Sequence, residues 1–383
     1  MAGRPQHIWM VDTTLRDGAQ APGVVFRPLD RLEIAWGLAA CGIDEIEAGI
    51  PAMGETACHE IIALSRLDLA CTLSCWCRAV KGDLSLAARC NTPGVHISFP
   101  TSSVLLKTFG KDEAWVLNTL EDLVRYSRHH FDHVTVGAQD ATRTDTGFLH
   151  RFSGLARDLG VRRLRLADTV GMASPVMIMD MVSDLCIAVP GLDLEFHGHN
   201  DLGMATANAV SAVDAGASAL SVTVNGLGER AGNTPLEETA MALFGTGARK
   251  GGIRLSGLTV LCKNVARFSN QEIPPAKPVV GSRVFSHESG IHTAGLMKNP
   301  YAYQLFDPGL VGSPPAAFVP GTHSGAAGIC HMLNERGISI TRKAAQKLVP
   351  MVREKAMSLK GPLRPDHLEE IYRKDFEKHK GTA

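Results

Sequence analysis

The stretch Leu192-Asp193-Leu194-Glu195-Phe196-His197-Gly198-His199-Asn200-Asp201 decides how the chain is read. Its run from Leu192 to Phe196 has the composition of a strand. On a strand, side chains at i and i+2 share a face. His197 and His199 therefore aim at one spot, as a pair of metal ligands does. The same spacing also suits a polar strand end whose imidazoles are merely hydrogen-bonded, and it leaves both readings open.

This strand is one of a series. Ile8 to Val11, Glu45 to Gly49, Leu69 to Cys75 and Val95 to Phe99 read as strands, and so do His133 to Gly137, Arg163 to Ala167 and Ala219 to Val224. Each is followed by a segment of helical spacing. These run over Asp30 to Ala40, Glu55 to Ser65, Leu84 to Cys90 and Asp112 to Tyr126, then Thr146 to Leu159, Pro175 to Ala188, Met204 to Ala215 and Pro235 to Phe244. Strands alternating with helices imply a parallel sheet. Eight such units predict a closed (β/α)8 TIM barrel, with an open doubly wound sheet as the alternative. Beyond Gly245 the alternation stops. Residues 247–252 are rich in glycine and charge, and Pro274-Pro275-Ala276-Lys277-Pro278 reads as a linker. Helices are expected over Ala326 to Glu335, Arg342 to Ser358 and Asp366 to Lys378. The expected organisation is a catalytic barrel over 1–250, a linker and lid-like subdomain over 251–310, and a helical subdomain over 311–383.

Composition narrows the class. The chain has 383 residues, 45% hydrophobic and 20% charged, with Lys+Arg and Asp+Glu equal at 39. A formally neutral chain argues against nucleic acid or an anionic membrane as the main partner. No apolar run is long enough to span a bilayer, and the start of the chain does not read as a secretory signal. The nine cysteines are irregularly spaced, which argues for reduced thiols in a cytoplasm rather than a disulfide framework or structural zinc.

A barrel carries its chemistry on the loops after the strands. Strand one is followed by Arg16-Asp17, strand five by Gln139-Asp140, strand six by Asp168-Thr169, and strand eight by Asn225-Gly226-Leu227-Gly228-Glu229-Arg230-Ala231-Gly232-Asn233. Closure makes strands seven, eight and one neighbours, so Asp17 is expected beside His197 and His199. One carboxylate and two imidazoles form an open divalent site suited to Mn2+, Fe2+, Co2+ or Zn2+. Arg16 beside it can steady a developing enolate or alkoxide, or form a salt bridge to Glu47 or Asp12. The glycine-rich loop after strand eight lacks the spacing of a phosphate loop, and its expected role is to bring Asn233 toward the metal.

DTTLRDGxQ at Asp12 to Gln20, HGHND at His197 to Asp201 and NGLGERAGN at Asn225 to Asn233 resemble the acyltransferases of the DRE-TIM metallolyase superfamily, which holds the 2-isopropylmalate and homocitrate synthases. Gly49-Ile50-Pro51-Ala52-Met53-Gly54 and Ser74-Cys75-Trp76-Cys77-Arg78 most resemble the homocitrate synthases of nitrogen-fixing bacteria. The resemblance implies a Claisen condensation of acetyl-CoA with a 2-oxo acid, 2-oxoglutarate in the first place, giving homocitrate for the nitrogenase iron-molybdenum cofactor. It implies a divalent metal, Mg2+ included, held by Asp17, His197 and His199 with Asn233 peripheral. It implies that Arg16 steadies the oxyanion and that Thr169 binds the 2-oxo acid carboxylate. Gln20 and Glu47 would bind substrate, and His292 and Tyr303 would serve the acid–base steps on the acetyl side. By residue type alone, His292 is equally a structural loop histidine and Tyr303 a packing anchor. A homodimer in which the C-terminal region covers the partner's barrel is implied as well. For the acceptor's distal carboxylate Arg78 is the first candidate, with Arg143 and Arg165 as rivals.

Two positions depart from the family, which usually has Glu where this chain has Ala19 and Gln139. Glutamine can hydrogen-bond but cannot accept a proton, so Gln139 places the acetyl side in question. The alternatives to homocitrate synthesis are a 2-isopropylmalate synthase or another 2-oxo acid synthase, a retro-aldol lyase, and a paralogue that binds metal and 2-oxo acid without turnover.

Overall fold

The computed structural model describes residues 7–245 and 252–380. The start of the chain, most of the glycine-rich stretch after Gly245 and the expected boundary at 250–251 lie outside the described residues. The chain divides into two compact units, one ending at Ile273 and the other beginning at Pro274, at the proline-rich segment.

In the first unit eight parallel strands close on themselves in sequence order. They are β1 (Trp9–Asp12), β2 (Glu45–Gly49), β3 (Thr72–Arg78), β4 (Gly94–Pro100), β5 (His133–Gln139), β6 (Arg163–Asp168), β7 (Asp193–Gly198) and β8 (Ala219–Val222). Closure is made by β8 pairing with β1, from Trp9 opposite Ala219 to Asp12 opposite Val222. The fold is a (β/α)8 TIM barrel. Its helices wrap the outside. Alternate residues such as Leu164 and Leu166 are wholly buried, whereas Arg163, Arg165 and Ala167 share the opposite face of β6.

Helices cap as their sequences dictate. Asp112, Asp145 and Ser174 each accept a hydrogen bond at the start of the helix that follows, from the backbone of Trp115, Phe148 and Met177. The helix Leu258–Ser269 lies beyond the point where the sequence pattern was read as ending. It buries Leu258, Leu261, Cys262 and Val265, at helical spacing, and packs beside the helix Pro28–Ala40.

The barrel interior is ionic where many barrels are aliphatic. Arg163 bridges Glu45 at 2.7 Å and Glu195 at 2.6 Å. Arg165 bridges Glu195 and Glu47, both at 2.6 Å. Arg16 continues the chain, 2.6 Å from Glu47 and 2.9 Å from Asp17. Burial works against each charge, yet the partners hold Glu195 down at about 2 and raise Arg163 and Arg165 above the usual arginine range. Glu195, Glu47, Asp17, Arg163 and Arg165 are therefore charged at neutral pH, and the line of ion pairs ends at the barrel mouth.

The second unit holds the helices Ala326–Glu335, Arg342–Leu359 and Pro365–Lys380, around a core that includes Ile329, Leu333, Leu348, Val352 and Leu368. A shorter helix, Gly290–Leu296, packs on the first of these. Among the described residues no helix is long and apolar enough to cross a membrane.

Candidate active site

Three ligand-bearing residues converge at the open end of the barrel. Asp17 lies just beyond β1, His197 is in β7 and His199 follows it. Their ligand atoms lie within 4.8 Å of one another, and all three side chains are buried. His197 Nε2 is 3.1 Å from Asp17 Oδ2 and 3.3 Å from His199 Nε2. The i, i+2 spacing on one strand thus brings the two imidazoles together.

The donor set fits a divalent cation. Burial, then the neighbouring His197, push His199 down to about 3, so it is a neutral ligand at physiological pH. Burial would raise Asp17, but Arg16 and then His197 hold it well below the usual carboxylate range, so it is an anion. The Nδ1 atoms of both histidines and Oδ1 of Asn233 are buried without a hydrogen-bond partner among the described residues. Asn233 is bridge-paired with His199 in the backbone and spends its amide nitrogen on Leu227 O at 3.0 Å, which leaves that oxygen uncommitted. A carboxylate, two neutral imidazoles and a spare amide oxygen suit a catalytic site with open positions.

A cavity of about 230 Å³ opens beside these residues. Arg16, Gln20, Trp76, Gln139, Thr169 and Arg230 line it, together with His96, Ser98, Gly137 and Arg165 deeper in the barrel. Arg16 forms the salt bridge to Glu47 that was one of its expected roles, and it lines the cavity with its guanidinium 5.5 Å from the centre of the Trp76 ring. Thr169 Oγ1 accepts the Asp140 backbone N–H at 2.8 Å, so its hydroxyl hydrogen is free to donate. Arg230 closes one side by binding Asp201 through Nε at 2.8 Å and Nη2 at 2.9 Å, and Thr169 O at 2.9 Å.

Three residues expected to bind substrate, Arg78, Arg143 and Glu47, lie outside the cavity lining. Arg78 is 63% exposed and is occupied by Asp83, at 2.8 and 3.0 Å. Arg143 is likewise held by Asp140 at 2.9 Å. Of the three rival guanidiniums only Arg165 lines the cavity. Glu47 is wholly buried between Arg16 and Arg165 and acts on the cavity through them. His292 and Tyr303 belong to the second unit, where their rings stack with centroids 4.2 Å apart and planes at 30°. His292 is in the helix Gly290–Leu296 and not in a loop.

His96 was not singled out by sequence. Its signal is a histidine between the β-formers Val95 and Ile97, on the same strand face as Ser98. Its Nδ1 lies 2.9 Å from Thr135 Oγ1. Arg165 carries an unspent donor. Its Nε binds Glu195 at 2.6 Å, while Nη2 makes a close ion contact with Glu47 at an angle poor for a hydrogen bond. Nη1 has no partner among the described residues.

The fold agrees with what the chain resembles. The family described as HMGL-like matches residues 7–265, and the homocitrate synthase post-HMGL domain-like family matches 279–360. The 2-isopropylmalate synthase 2 of Caldanaerobacter subterraneus is 42% identical over 377 residues, 98% of each chain. The homocitrate synthase of Frankia alni is 43% identical over 327 residues, covering 85% of this chain and 93% of its own. Among solved structures, hydroxymethylglutaryl-CoA lyase of Pseudomonas aeruginosa superposes with a TM-score of 0.64 at 18% identity, over 70% of this chain and 95% of that one, a likeness of fold alone.

Proposed function

The chain belongs to the HMGL-like family, as a condensation synthase of the DRE-TIM type, and on that premise we propose that it joins acetyl-CoA to 2-oxoglutarate to give homocitrate and CoA. The observation that carries the choice of acceptor is Arg165, a cavity-lining guanidinium with an uncommitted nitrogen deep in the barrel. A dicarboxylic 2-oxo acid has a second carboxylate to place there. A branched apolar acceptor leaves that donor buried and unpaired, at a cost of about 1–3 kcal/mol.

Asp17, His197 and His199 would hold the divalent metal, with Asn233 within the same surround. When bound, the metal supplies Lewis-acid polarisation of the 2-oxo carbonyl. The chain's own residues do the rest. Thr169 donates its free hydroxyl hydrogen to the carboxylate next to the keto group. Arg16, fixed by Glu47 and stacked on Trp76, meets the negative charge that develops on the keto oxygen as the enolate attacks. Gln20 and Gln139 orient substrate by hydrogen bonds, and the stacked pair His292 and Tyr303 is proposed for the proton steps on the acetyl side. A cytoplasmic homodimer serving nitrogenase cofactor synthesis is the context this reading carries with it.

The second reading, a 2-isopropylmalate synthase, is favoured by the Caldanaerobacter relative, which matches along 98% of both chains. The two separate in one assay. Metal-loaded protein is incubated with acetyl-CoA and, in turn, 2-oxoglutarate, 2-oxoisovalerate, pyruvate and oxaloacetate, and free CoA thiol is followed. Fastest release with 2-oxoglutarate supports the proposal. Preference for 2-oxoisovalerate replaces it with the second reading.

A further inference from the structure

The cavity floor holds one titratable group that the condensation leaves unused. His96 is almost wholly buried, on β4, and lines the cavity beside Gly137 and Arg165. Gly137 is what makes room for it. A Cβ there would stand 2.6 Å from His96 Nε2 and 3.8 Å from Arg165 Cβ, so the imidazole edge and the arginine stem flank the same missing side chain.

Hydrogen bonding assigns the histidine's tautomer. Thr135 Oγ1 donates its only hydrogen to Val95 O at 3.3 Å. Both contacts are hydrogen bonds at once only when Thr135 accepts from His96 Nδ1 at 2.9 Å, the tautomer in which Nδ1 carries the proton. Neutral His96 therefore presents at Nε2 a bare lone pair. Burial, then Arg165, keep the ring neutral well below the usual histidine range, with Glu195 opposing and Arg16 and Arg163 adding to the depression. Glu47 and Glu45 are engaged by Arg165 and Arg163, and the β5 groups against the ring, Thr135 and Gly137, carry no charge.

A carboxylate arriving at Arg165 changes this balance. It offsets the cation that most disfavours imidazolium, and it sets an anion where Nε2 has only a lone pair to offer. We propose that His96 takes up a proton when the distal carboxylate of a dicarboxylic 2-oxo acid seats against Arg165, so that a charged N–H at Nε2 becomes the second donor to that carboxylate. The atoms balance simply: one proton leaves the buffer and binds Nε2, and no covalent bond changes. His96 thereby becomes a specificity-determining residue, because acceptors lacking a second carboxylate bring nothing to stabilise the imidazolium. This inference rests on the 2-oxoglutarate reading and deepens it.

The test is calorimetric. 2-Oxoglutarate and pyruvate are each titrated into the metal-loaded full chain at pH 7, in Pipes and in Tris, buffers of low and high ionisation enthalpy. Proton changes at the metal and at the shared 2-oxo acid head are common to both acids and cancel in the comparison. Uptake of about one more proton per site with 2-oxoglutarate than with pyruvate is expected. His96→Asn, which keeps a donor toward Thr135, is expected to bind both acids with equal proton uptake. Equal uptake in the unmodified protein overturns the inference, as does an excess that persists in H96N. The comparison in the unmodified protein stands even if the variant does not fold. Failure of the underlying reading looks different: 2-oxoisovalerate then binds and 2-oxoglutarate does not.

Discussion

His197 Nε2 and Asp17 Oδ2 stand 3.1 Å apart, although one comes from the seventh strand and the other from just beyond the first. Only closure of the sheet through β8 makes such a contact, so the barrel and the Asp17–His197–His199 cluster are one structural fact. Each of Asp17→Asn, His197→Asn and His199→Asn is expected to keep the fold and lose the metal. Divalent affinity measured by calorimetry should fall by more than about 100-fold, beyond what loss of an outer-shell partner costs. Retention of tight binding in any of the three would remove that residue from the ligand set.

The buried line of ion pairs makes stability depend on acid. Glu195 has its folded pKa depressed from 4.5 to about 2, by Arg165 and Arg163 against the opposing effect of burial. A depressed carboxylate contributes stability that is complete above its unfolded pKa and is lost as pH falls through the folded one. Urea midpoints should therefore drop between pH 4.5 and 2. Glu195→Gln removes the carboxylate that Arg163 and Arg165 share, leaving each with one partner, and should cost about 3–5 kcal/mol at pH 7. The same variant should flatten the acid limb. A variant whose acid limb matches the parent chain would show that other carboxylates carry it.

Arg165 and Arg78 make a matched contrast. Arg165→Gln should raise KM for 2-oxoglutarate by about 10- to 100-fold, the loss of a charge-assisted hydrogen bond, and change KM for pyruvate far less. Because Arg165 also pairs with Glu47 and Glu195, a thermal melt must accompany the kinetics. Arg78→Ala, which breaks only an exposed pair with Asp83, should leave KM within about twofold. A large effect at Arg78 and none at Arg165 would move the distal carboxylate out of the barrel.

Gly137→Ala pushes a methyl group into His96. Overpacking of this kind costs about 1–3 kcal/mol and forces the imidazole to shift. Melting temperature should fall, and the cavity should take pyruvate better than 2-oxoglutarate. An unchanged preference would mean that the acceptor does not reach Gly137.

Gln139→Glu restores the family's usual residue at the end of β5, in the cavity wall. Steady-state turnover should not fall. A large loss would mean that the acetyl side has been rebuilt around the amide.

Most of the barrel was legible because the strands are short, carry alternating apolar residues and are bounded by turn residues, and Glu45–Gly49 even coincides with the expected span. The helix Leu258–Ser269 was missed although Leu258, Leu261, Cys262 and Val265 carry its period, because the glycine-rich stretch before it resembled an end. The convergence of Asp17, His197 and His199 was legible because i, i+2 spacing and strand order are both sequence properties. The surroundings of the candidate guanidiniums were not. That Arg78 is spent on Asp83, while Arg165 keeps a nitrogen free between two glutamates, depends on side-chain geometry. His96 in turn depends on the empty space above a glycine on the neighbouring strand.

Selection of a dicarboxylic acceptor by the cavity is decided by competition. Metal-loaded protein is given acetyl-CoA with equal concentrations of 2-oxoglutarate and 2-oxoisovalerate, and both products are quantified by mass spectrometry at low conversion. Homocitrate is expected in excess by at least about tenfold, the discrimination that follows when one buried donor is left unpaired by the wrong acceptor. An excess of 2-isopropylmalate would contradict it.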